Sequence, residues 1–171
     1  MRVLAPAKVN LYLRIVGRRP DGYHLLDSLM TPVSLYDEMT IAIASGTPGI
    51  VVNSDDPTVA GDETNLAYKA AALLCRETGV QARITIGLRK RIPAGAGLGG
   101  GSSDAAAVLK SLNTLLSLGL TEARLGDLAA RVGADAPFFI PCRPARVTGI
   151  GEIVTAVPAL PVRWLVLVVP P

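Results

Sequence analysis

The sequence has few aromatic residues, one histidine, two cysteines and no long apolar run. These scarcities limit the classes of function and of binding site that we expect. Aromatic side chains make up 4% of its 171 residues, which argues against nucleic-acid recognition by base stacking. Cys75 and Cys142 lack the spacing of metal ligands, so we expect reduced thiols, no protein metal site and a cytoplasmic location. No apolar run approaches the roughly 18 residues of a membrane span, so we expect no membrane partner.

The charge of the chain is mildly basic and spread along its length. The net charge is +3, and half of the residues are apolar, which is enough for the core of one ordinary domain. Small basic clusters occur at Arg18–Arg19 and at Arg89–Arg91. We interpret them as solvated surface, with a nucleic-acid patch as the alternative.

Strand and helix patterns are mixed without regular alternation, which predicts an α+β fold rather than a doubly wound sheet. Residues 8–17 alternate between apolar and polar side chains, and a Pro-Asp-Gly turn predicts a hairpin back through residues 23–35. The other predicted strands are Glu38–Ala44, Gly49–Ser54, Ala82–Ile92 and a hairpin over 145–157. Predicted helices span 65–79, 103–118 and 121–133. Arg163–Pro171 predicts a fully buried strand, so we expect the chain to be part of a longer protein.

The stretch "PAGAGLGGGSSDAA" (Pro93–Ala106) contains five of the 17 glycines and leads directly into an alanine-rich helix. Glycines let successive N–H groups point into one concavity, and a helix N-terminus adds free donors, so this loop predicts a phosphate site. A tight turn that packs the helix on the sheet would need only one or two glycines. The loop lacks the lysine of a Walker A motif. Ser102 or Ser103 is a candidate N-cap, with Asp104 favourably placed in the first turn.

Three further residues could carry chemistry, although each also has a structural explanation. Lys8, the first lysine, begins an alternating strand and could be a solvated strand end. Asp135 is placed to cap a short turn, and it stands in an apolar stretch, where a carboxylate needs a helix N-terminus, a cation or both. His24 could be a turn residue, or it could form a polar pocket wall with Tyr23.

Three segments in order resemble the GHMP kinases (galactokinase, homoserine kinase, mevalonate kinase and phosphomevalonate kinase). "PAGAGLGGGSSDAA" is similar to the second motif of that family, roughly P-x-x-x-G-L-G-S-S-A-A, with two extra glycines. "APAKVNLYLRIVGRRPDGYH" and "GADAPFF" resemble its other motifs. The resemblance implies that residues 1–171 form an amino-terminal domain similar to domain 2 of ribosomal protein S5. A second, ferredoxin-like domain would follow in the family and is not in this chain.

The glycine extension and the "RRPDGYH" segment resemble the branch of the family that acts in the non-mevalonate isoprenoid pathway. There the γ-phosphoryl of ATP passes to the 2-hydroxyl of 4-diphosphocytidyl-2-C-methyl-D-erythritol. The resemblance implies catalysis by Lys8 and Asp135, Mg²⁺ carried by the nucleotide phosphates without an assigned protein ligand, and substrate contacts from Asn10, Tyr23 and His24. It implies ATP binding by Pro93, Ala94, Gly95, Ala96, Gly97, Leu98, Gly99, Gly100, Gly101, Ser102 and Ser103.

Three alternatives to this function stay open at the level of the sequence. The first is an RNA-binding module, which the basic charge allows but the glycine loop does not require. The second is a unit that binds nucleotide without turnover, and the third is a kinase of another alcohol, against which "RRPDGYH" argues. We expect small-molecule partners and no nucleic acid, and the oligomeric state is left open.

Overall fold

A computed structural model describes residues 1–169 and shows a mixed sheet with three α-helices. The strands are β1 (Arg2–Arg18), β2 (His24–Ala44), β3 (Gly49–Ser54), β4 (Arg83–Arg89), β5 (Ala145–Gly149) and β6 (Ile153–Ala156). The helices are α1 (Leu66–Thr78), α2 (Gly100–Leu115) and α3 (Glu122–Val132), and a short 3₁₀ helix spans Ala136–Phe139. The mixed order of these elements confirms the predicted α+β class.

The sheet is ordered β3-β4-β2-β5-β6, and β1 pairs with β2 outside this path. All neighbouring strands are antiparallel except β3 and β4, which run parallel and are joined through α1. β1 and β2 form the predicted hairpin, whose turn is closed by the N–H of Gly22 donating to the carbonyl of Arg19. This long hairpin places the start of β1 beside the centre of the domain.

The core lies between the helices and one face of the sheet. In β4, Ile84, Ile86 and Leu88 are buried and alternate with more exposed residues, as a strand with one covered face requires. α2 contacts β1 and β2, and α1 and α3 pack against α2. α2 is therefore central, and its N-terminus is fixed by contacts on several sides.

Local capping explains where α1 and α3 begin and where α1 ends. Asn65 accepts a hydrogen bond from the N–H of Ala67, and Gly79 ends α1 in the left-handed conformation. Thr121 accepts from the N–H of Arg124 at the start of α3. The short polar side chains supply acceptors that the first turn of a helix lacks.

The predicted separate strand Glu38–Ala44 is wrong, because it is the second half of β2. No glycine or other break interrupts the chain between Pro32 and Glu38, and β2 continues from His24 to Ala44. β1 stays paired with β2 over this length. The pairing contains shifts in register, one of them between Pro6 and Ala7.

The predicted buried strand at Arg163–Pro171 is also wrong for the residues described, and Pro170 and Pro171 lie outside them. Residues 157–169 have no regular secondary structure. Trp164 is 99% exposed and Val166 is 91% exposed, whereas Leu165 and Leu167 are about half as exposed and line a groove against β2. An apolar run becomes a buried strand only beside a strand that pairs with it, and no described strand does so here.

Candidate functional site

The glycine-rich loop connects the end of β4 to the first turn of α2. Gly99 takes the N-cap position with φ of 73° and provides no side-chain cap, and the helix begins at Gly100. The prediction of a start near Ser103 with a serine cap is therefore wrong. A left-handed Gly99 turns the chain into the helix at once, which places Ser102 and Ser103 inside the first turn. The first N–H groups of α2 have no acceptor within the helix. The end of the glycine loop is therefore followed by backbone N–H donors that are free to bind an anion.

Close packing explains why this turn requires glycine. A Cβ added at Gly99 would lie 3.0 Å from Cζ of Phe139 and 3.2 Å from Cγ of Lys8. A Cβ at Gly100 would lie 3.1 Å from Cγ2 of Ile92. Bare backbone therefore allows the start of α2 to lie directly against β1 and the 3₁₀ helix.

A cavity of about 430 Å³ opens along this loop. Its lining includes ten of the eleven residues predicted to bind ATP, together with Asn65, Leu66, Lys90, Asp104 and Asp135. The eleventh, Ser103, lines a separate, smaller cavity with Lys110, and its buried hydroxyl has no hydrogen-bond partner among the described residues. A larger cavity of about 700 Å³ lies between β1, β2 and β4 and contains none of the predicted site residues.

Lys8 and Asp135 meet at the edge of the loop cavity. The Nζ of Lys8 lies 3.4 Å from Oδ2 of Asp135 and donates a 2.7 Å hydrogen bond to Oδ1 of Asn10. The backbone N–H of Lys8 donates to the carbonyl of Leu98, which ties β1 to the glycine loop. Lys8 is 5% exposed, so it is not a solvated strand end.

Asp135 occupies the N-cap position of the 3₁₀ helix but makes no side-chain capping bond. The prediction that it caps this turn is wrong, because Lys8 lies close enough to take its carboxylate instead. Its side chain is 31% exposed, so the carboxylate faces both a buried cation and open solvent. A carboxylate in that position can accept a proton from a hydroxyl group bound in the cavity.

The other predicted substrate residues are not all at the same place. Asn10 is beside Lys8 on β1, as described above. Tyr23 and His24 are exposed at the far end of the β1–β2 hairpin, and neither lines the loop cavity. The structure therefore joins Asn10 to the Lys8–Asp135 pair and leaves Tyr23 and His24 on an open surface.

A second buried ionic group, which was missed in the sequence, lies behind the loop. Lys90 donates hydrogen bonds to Oδ2 of Asp104, at 2.7 Å, and to Oδ2 of Asp37. Asp37 also accepts the backbone N–H groups of Arg91 and Ile92. The prediction that the cluster Arg89–Arg91 is solvated is wrong for Lys90, whose side chain is 9% exposed.

Strand alternation is the signal that could have revealed this group. Lys90 continues the buried series of Ile84, Ile86 and Leu88, two residues beyond Leu88. Asp37 likewise falls on the buried side of β2 with Met39 and Ile41. A charged residue at the next position of a buried series predicts a buried partner.

Burial raises the pKa of Asp104 to about 6, against the opposing influence of Lys90. Burial alone would lower the pKa of Lys90, but Asp104 and Asp37 outweigh it and raise that pKa. Near pH 7 the group thus contains a lysine cation and a mostly ionised Asp104. The prediction that Asp104 lies in the first turn of the helix is wrong, because α2 begins at Gly100 and its first turn contains no acidic residue. Asp104 is held instead by its ion pair with Lys90.

Residues 1–169 contain neither a cluster of metal-binding side chains nor a helix that could cross a membrane. No three or more histidine, cysteine or acidic side chains come together in a way that could hold a metal ion. Within the same residues, every helix is too short or too polar to cross a membrane.

Comparison with known proteins agrees with this geometry. Residues 65–142, which include the glycine loop and Asp135, match the family model described as GHMP kinases N terminal domain. The chain is 51% identical over 170 residues to 4-diphosphocytidyl-2-C-methyl-D-erythritol kinase of Symbiobacterium thermophilum. It is 48% identical over the same length to the enzyme of that name from Geobacter sp. strain M21. The chain spans 60% of the length of each of these relatives.

Solved structures give the same result. A crystal structure of 4-(cytidine 5'-diphospho)-2C-methyl-D-erythritol kinase superposes with a TM-score of 0.79 at 45% identity, covering 94% of this chain and 56% of that one. The Methanococcus jannaschii mevalonate kinase shares the fold, with a TM-score of 0.68 at 16% identity, covering 92% and 55%. The matched domain, the similarity along 99% of the chain and the shared fold agree, and residues 65–142 carry the GHMP kinase N-terminal domain.

Proposed function

We propose that this chain provides the ATP-binding and catalytic part of a small-molecule kinase, with 4-diphosphocytidyl-2-C-methyl-D-erythritol as phosphoryl acceptor. The observation that carries the proposal is the Lys8–Asp135 pair at the edge of the glycine-loop cavity. The relatives at 51% and 48% identity, both named as kinases of this compound, support the choice of acceptor. The proposal extends to the whole protein, of which residues 1–171 would be the amino-terminal domain.

The loop would bind the triphosphate of ATP through backbone N–H groups. Residues 93–102 line the cavity, and the free donors at the start of α2 favour an anion there. The eleventh predicted residue, Ser103, would act indirectly by packing the first turn of α2. Mg²⁺ on the nucleotide phosphates would neutralise part of their charge, and we assign no protein ligand to it.

Asp135 would accept the proton of the acceptor's 2-hydroxyl as the oxygen of that group attacks the γ-phosphorus. A new oxygen–phosphorus bond forms, the bond between the γ-phosphorus and the β,γ-bridging oxygen breaks, and ADP leaves. Lys8 would keep Asp135 ionised and would offset the negative charge at the transferring group. Asn10 fixes the Nζ of Lys8 by its 2.7 Å hydrogen bond, which supports a contribution of Asn10 to the acceptor site.

Tyr23 and His24 would bind the cytidine part of the acceptor from the open hairpin end, while its erythritol part lies at Lys8, Asn10 and Asp135. Their distance from the loop cavity is consistent with an acceptor that has a long diphosphate bridge between its two ends. The reaction needs ATP and a soluble acceptor, and Cys75 and Cys142 are free thiols, so we propose a cytoplasmic enzyme.

The test is transfer of radiolabelled phosphate from ATP to a panel of alcohols. The panel contains 4-diphosphocytidyl-2-C-methyl-D-erythritol, mevalonate and homoserine, and ATP binding is measured in parallel by calorimetry. We expect labelling of the cytidyl compound alone. Labelling of another alcohol would show that the proposed acceptor is wrong. ATP binding without labelling would indicate a unit that binds nucleotide without turnover. The absence of ATP binding would overturn the proposal.

A further inference from the structure

The buried group formed by Asp37, Lys90 and Asp104 lies outside the catalytic pair and connects three separate elements. Asp37 belongs to β2, Lys90 directly follows β4, and Asp104 is the fifth residue of α2, just beyond its first turn. Asp37 and Asp104 are 0% and 3% exposed. The glycine loop begins and ends within this group, since it leaves β4 beside Lys90 and enters α2 before Asp104.

The hydrogen bonds fix both ends of the loop. Oδ1 of Asp37 accepts from the N–H groups of Arg91, at 2.6 Å, and of Ile92, at 2.9 Å, which hold the chain just before Pro93. Lys90 then connects Asp37 to Asp104, which holds the start of α2. Charge-assisted hydrogen bonds of this kind are stronger and more directional than neutral ones.

The charges of the group do not favour an anion. Two carboxylates and one ammonium give a net negative group, and both Lys90 and Asp104 line the loop cavity. Oδ1 of Asp104 is buried and has no hydrogen-bond partner among residues 1–169. A carboxylate beside a triphosphate would repel it, so attraction of ATP does not explain why an acidic residue stands at this position.

We infer that Asp37, Lys90 and Asp104 are positioning residues that hold the glycine loop in its nucleotide-binding conformation before ATP arrives. The inference rests on the proposed binding of ATP at the loop. Apparent affinity falls in proportion to the fraction of molecules that are competent to bind. A loop fixed at both ends therefore binds more tightly than one that samples several conformations, even when the fixing group is itself repulsive.

Replacement of Asp104 by asparagine distinguishes positioning from electrostatics by the sign of its effect. If the charge of Asp104 acted mainly by repelling phosphate, Asp104→Asn would bind ATP more tightly. Positioning predicts the opposite result, a dissociation constant for ATP raised about tenfold, because loss of a buried charge-assisted hydrogen bond frees the start of α2. Where turnover is measured, KM for ATP should rise while kcat is retained.

Asp55→Asn is the matched control. Asp55 also contacts this segment, accepting the N–H of Lys90 at 2.8 Å, but its side chain is 45% exposed and it does not line the loop cavity. We expect its effect on ATP affinity to stay within about twofold, as for most exposed substitutions. Equal effects of Asp55→Asn and Asp104→Asn would overturn the inference.

Amide hydrogen exchange of residues 94–101, without nucleotide, provides a readout that does not depend on kinase function. Asp104→Asn should speed exchange in this segment and leave α1 unchanged. If Asp104→Asn does not fold, the triple variant Asp37→Asn/Lys90→Gln/Asp104→Asn makes the whole group neutral, leaves no buried carboxylate without its cation, and carries the same test. Tighter or unchanged ATP binding with unchanged loop exchange would overturn the inference. Faster loop exchange in a protein that never binds ATP would support the positioning role of Asp37, Lys90 and Asp104 and would reject the proposed function.

Discussion

The Nζ of Lys90 lies 2.7 Å from Oδ2 of Asp104, so a lysine that directly follows β4 is paired with an acid near the start of α2. Asp104 is 3% exposed, and burial raises its pKa from the ordinary 3.8 to about 6. The native state therefore binds a proton at Asp104 more readily than the unfolded chain does. This difference makes one contribution to stability depend on pH.

We predict that the wild-type protein gains stability relative to Asp104→Asn as the pH falls from 7 to 4. A raised carboxyl pKa in the native state means that protonation favours folding in this interval, by at most about 3 kcal/mol. Urea unfolding of both proteins at each pH measures the difference. A difference that shrinks toward pH 4 would contradict the raised pKa.

Asp27→Asn is the control of opposite sign for that experiment. Its hydrogen bonds to Arg146 hold the pKa of Asp27 below its ordinary value, despite the opposing influence of desolvation. The stability that Asp27 contributes is present above the unfolded pKa of about 4 and is lost as the pH falls below it. The wild type should therefore gain no stability relative to Asp27→Asn as the pH falls from 7 to 4.

We predict that Gly97→Ala weakens ATP binding, whereas Gly79→Ala does not. The two glycines have φ of 72° and 71°, and an added Cβ would meet no atom within 4 Å at either position. Each substitution should therefore cost about 1 kcal/mol of stability through backbone strain alone. Only Gly97 lines the loop cavity, where a methyl group would stand between the backbone and a phosphate.

Thermal unfolding and ATP calorimetry on the two glycine variants separate these effects. Similar losses of melting temperature establish that the backbone strain is matched. A reduced ATP affinity in Gly97→Ala alone would support backbone contact with phosphate. Equal ATP affinities in the two variants would remove the loop from the binding site.

We predict that Trp164, the only tryptophan, is quenched by acrylamide almost as readily as free indole, since it is 99% exposed. A blue-shifted, protected emission would instead support the buried strand that the sequence predicts. In a chimaera carrying the unmatched part of the Symbiobacterium relative, we expect Trp164 to become protected, as the predicted second domain would cover it. An unchanged emission in the chimaera would place that domain elsewhere.

Local patterns predicted most of the elements, and long-range pairing explains what they missed. The Pro-Asp-Gly turn, Asn65 and Thr121 mark their turn and caps through short-range chemistry. The apolar run around Trp164 carries no information about a partner strand, so burial did not follow from its hydrophobicity. Asp104 was interpreted by its place in a helix alone. Its partner Lys90 follows β4, and the two residues meet only through the tertiary fold.

In the candidate site too, local patterns predicted one part, and long-range contacts determine the rest. The glycine composition alone indicated a phosphate loop, and the cavity along residues 93–102 agrees with that interpretation. Lys8 and Asp135 each had a structural explanation in the sequence, and only the family resemblance joined them. Their 3.4 Å separation depends on packing of β1 against the 3₁₀ helix, which no local pattern encodes.

The most direct test of the central claim, that Lys8 and Asp135 form one catalytic unit beside the loop, is a double-mutant cycle. The rate of phosphoryl transfer to 4-diphosphocytidyl-2-C-methyl-D-erythritol is measured in a single turnover at saturating ATP. It is measured for the parent, Asp135→Asn, Lys8→Ala and the double variant, in this chain or in the chimaera. Asp127→Asn, an exposed change of the same kind on α3, is the control.

We predict that Asp135→Asn and Lys8→Ala each lower this rate roughly 100-fold or more while ATP still binds. The double variant should lose little beyond either single variant, because residues that act as one unit are not additive. Losses that multiply in the double variant, or a parental rate in Asp135→Asn, would contradict the account.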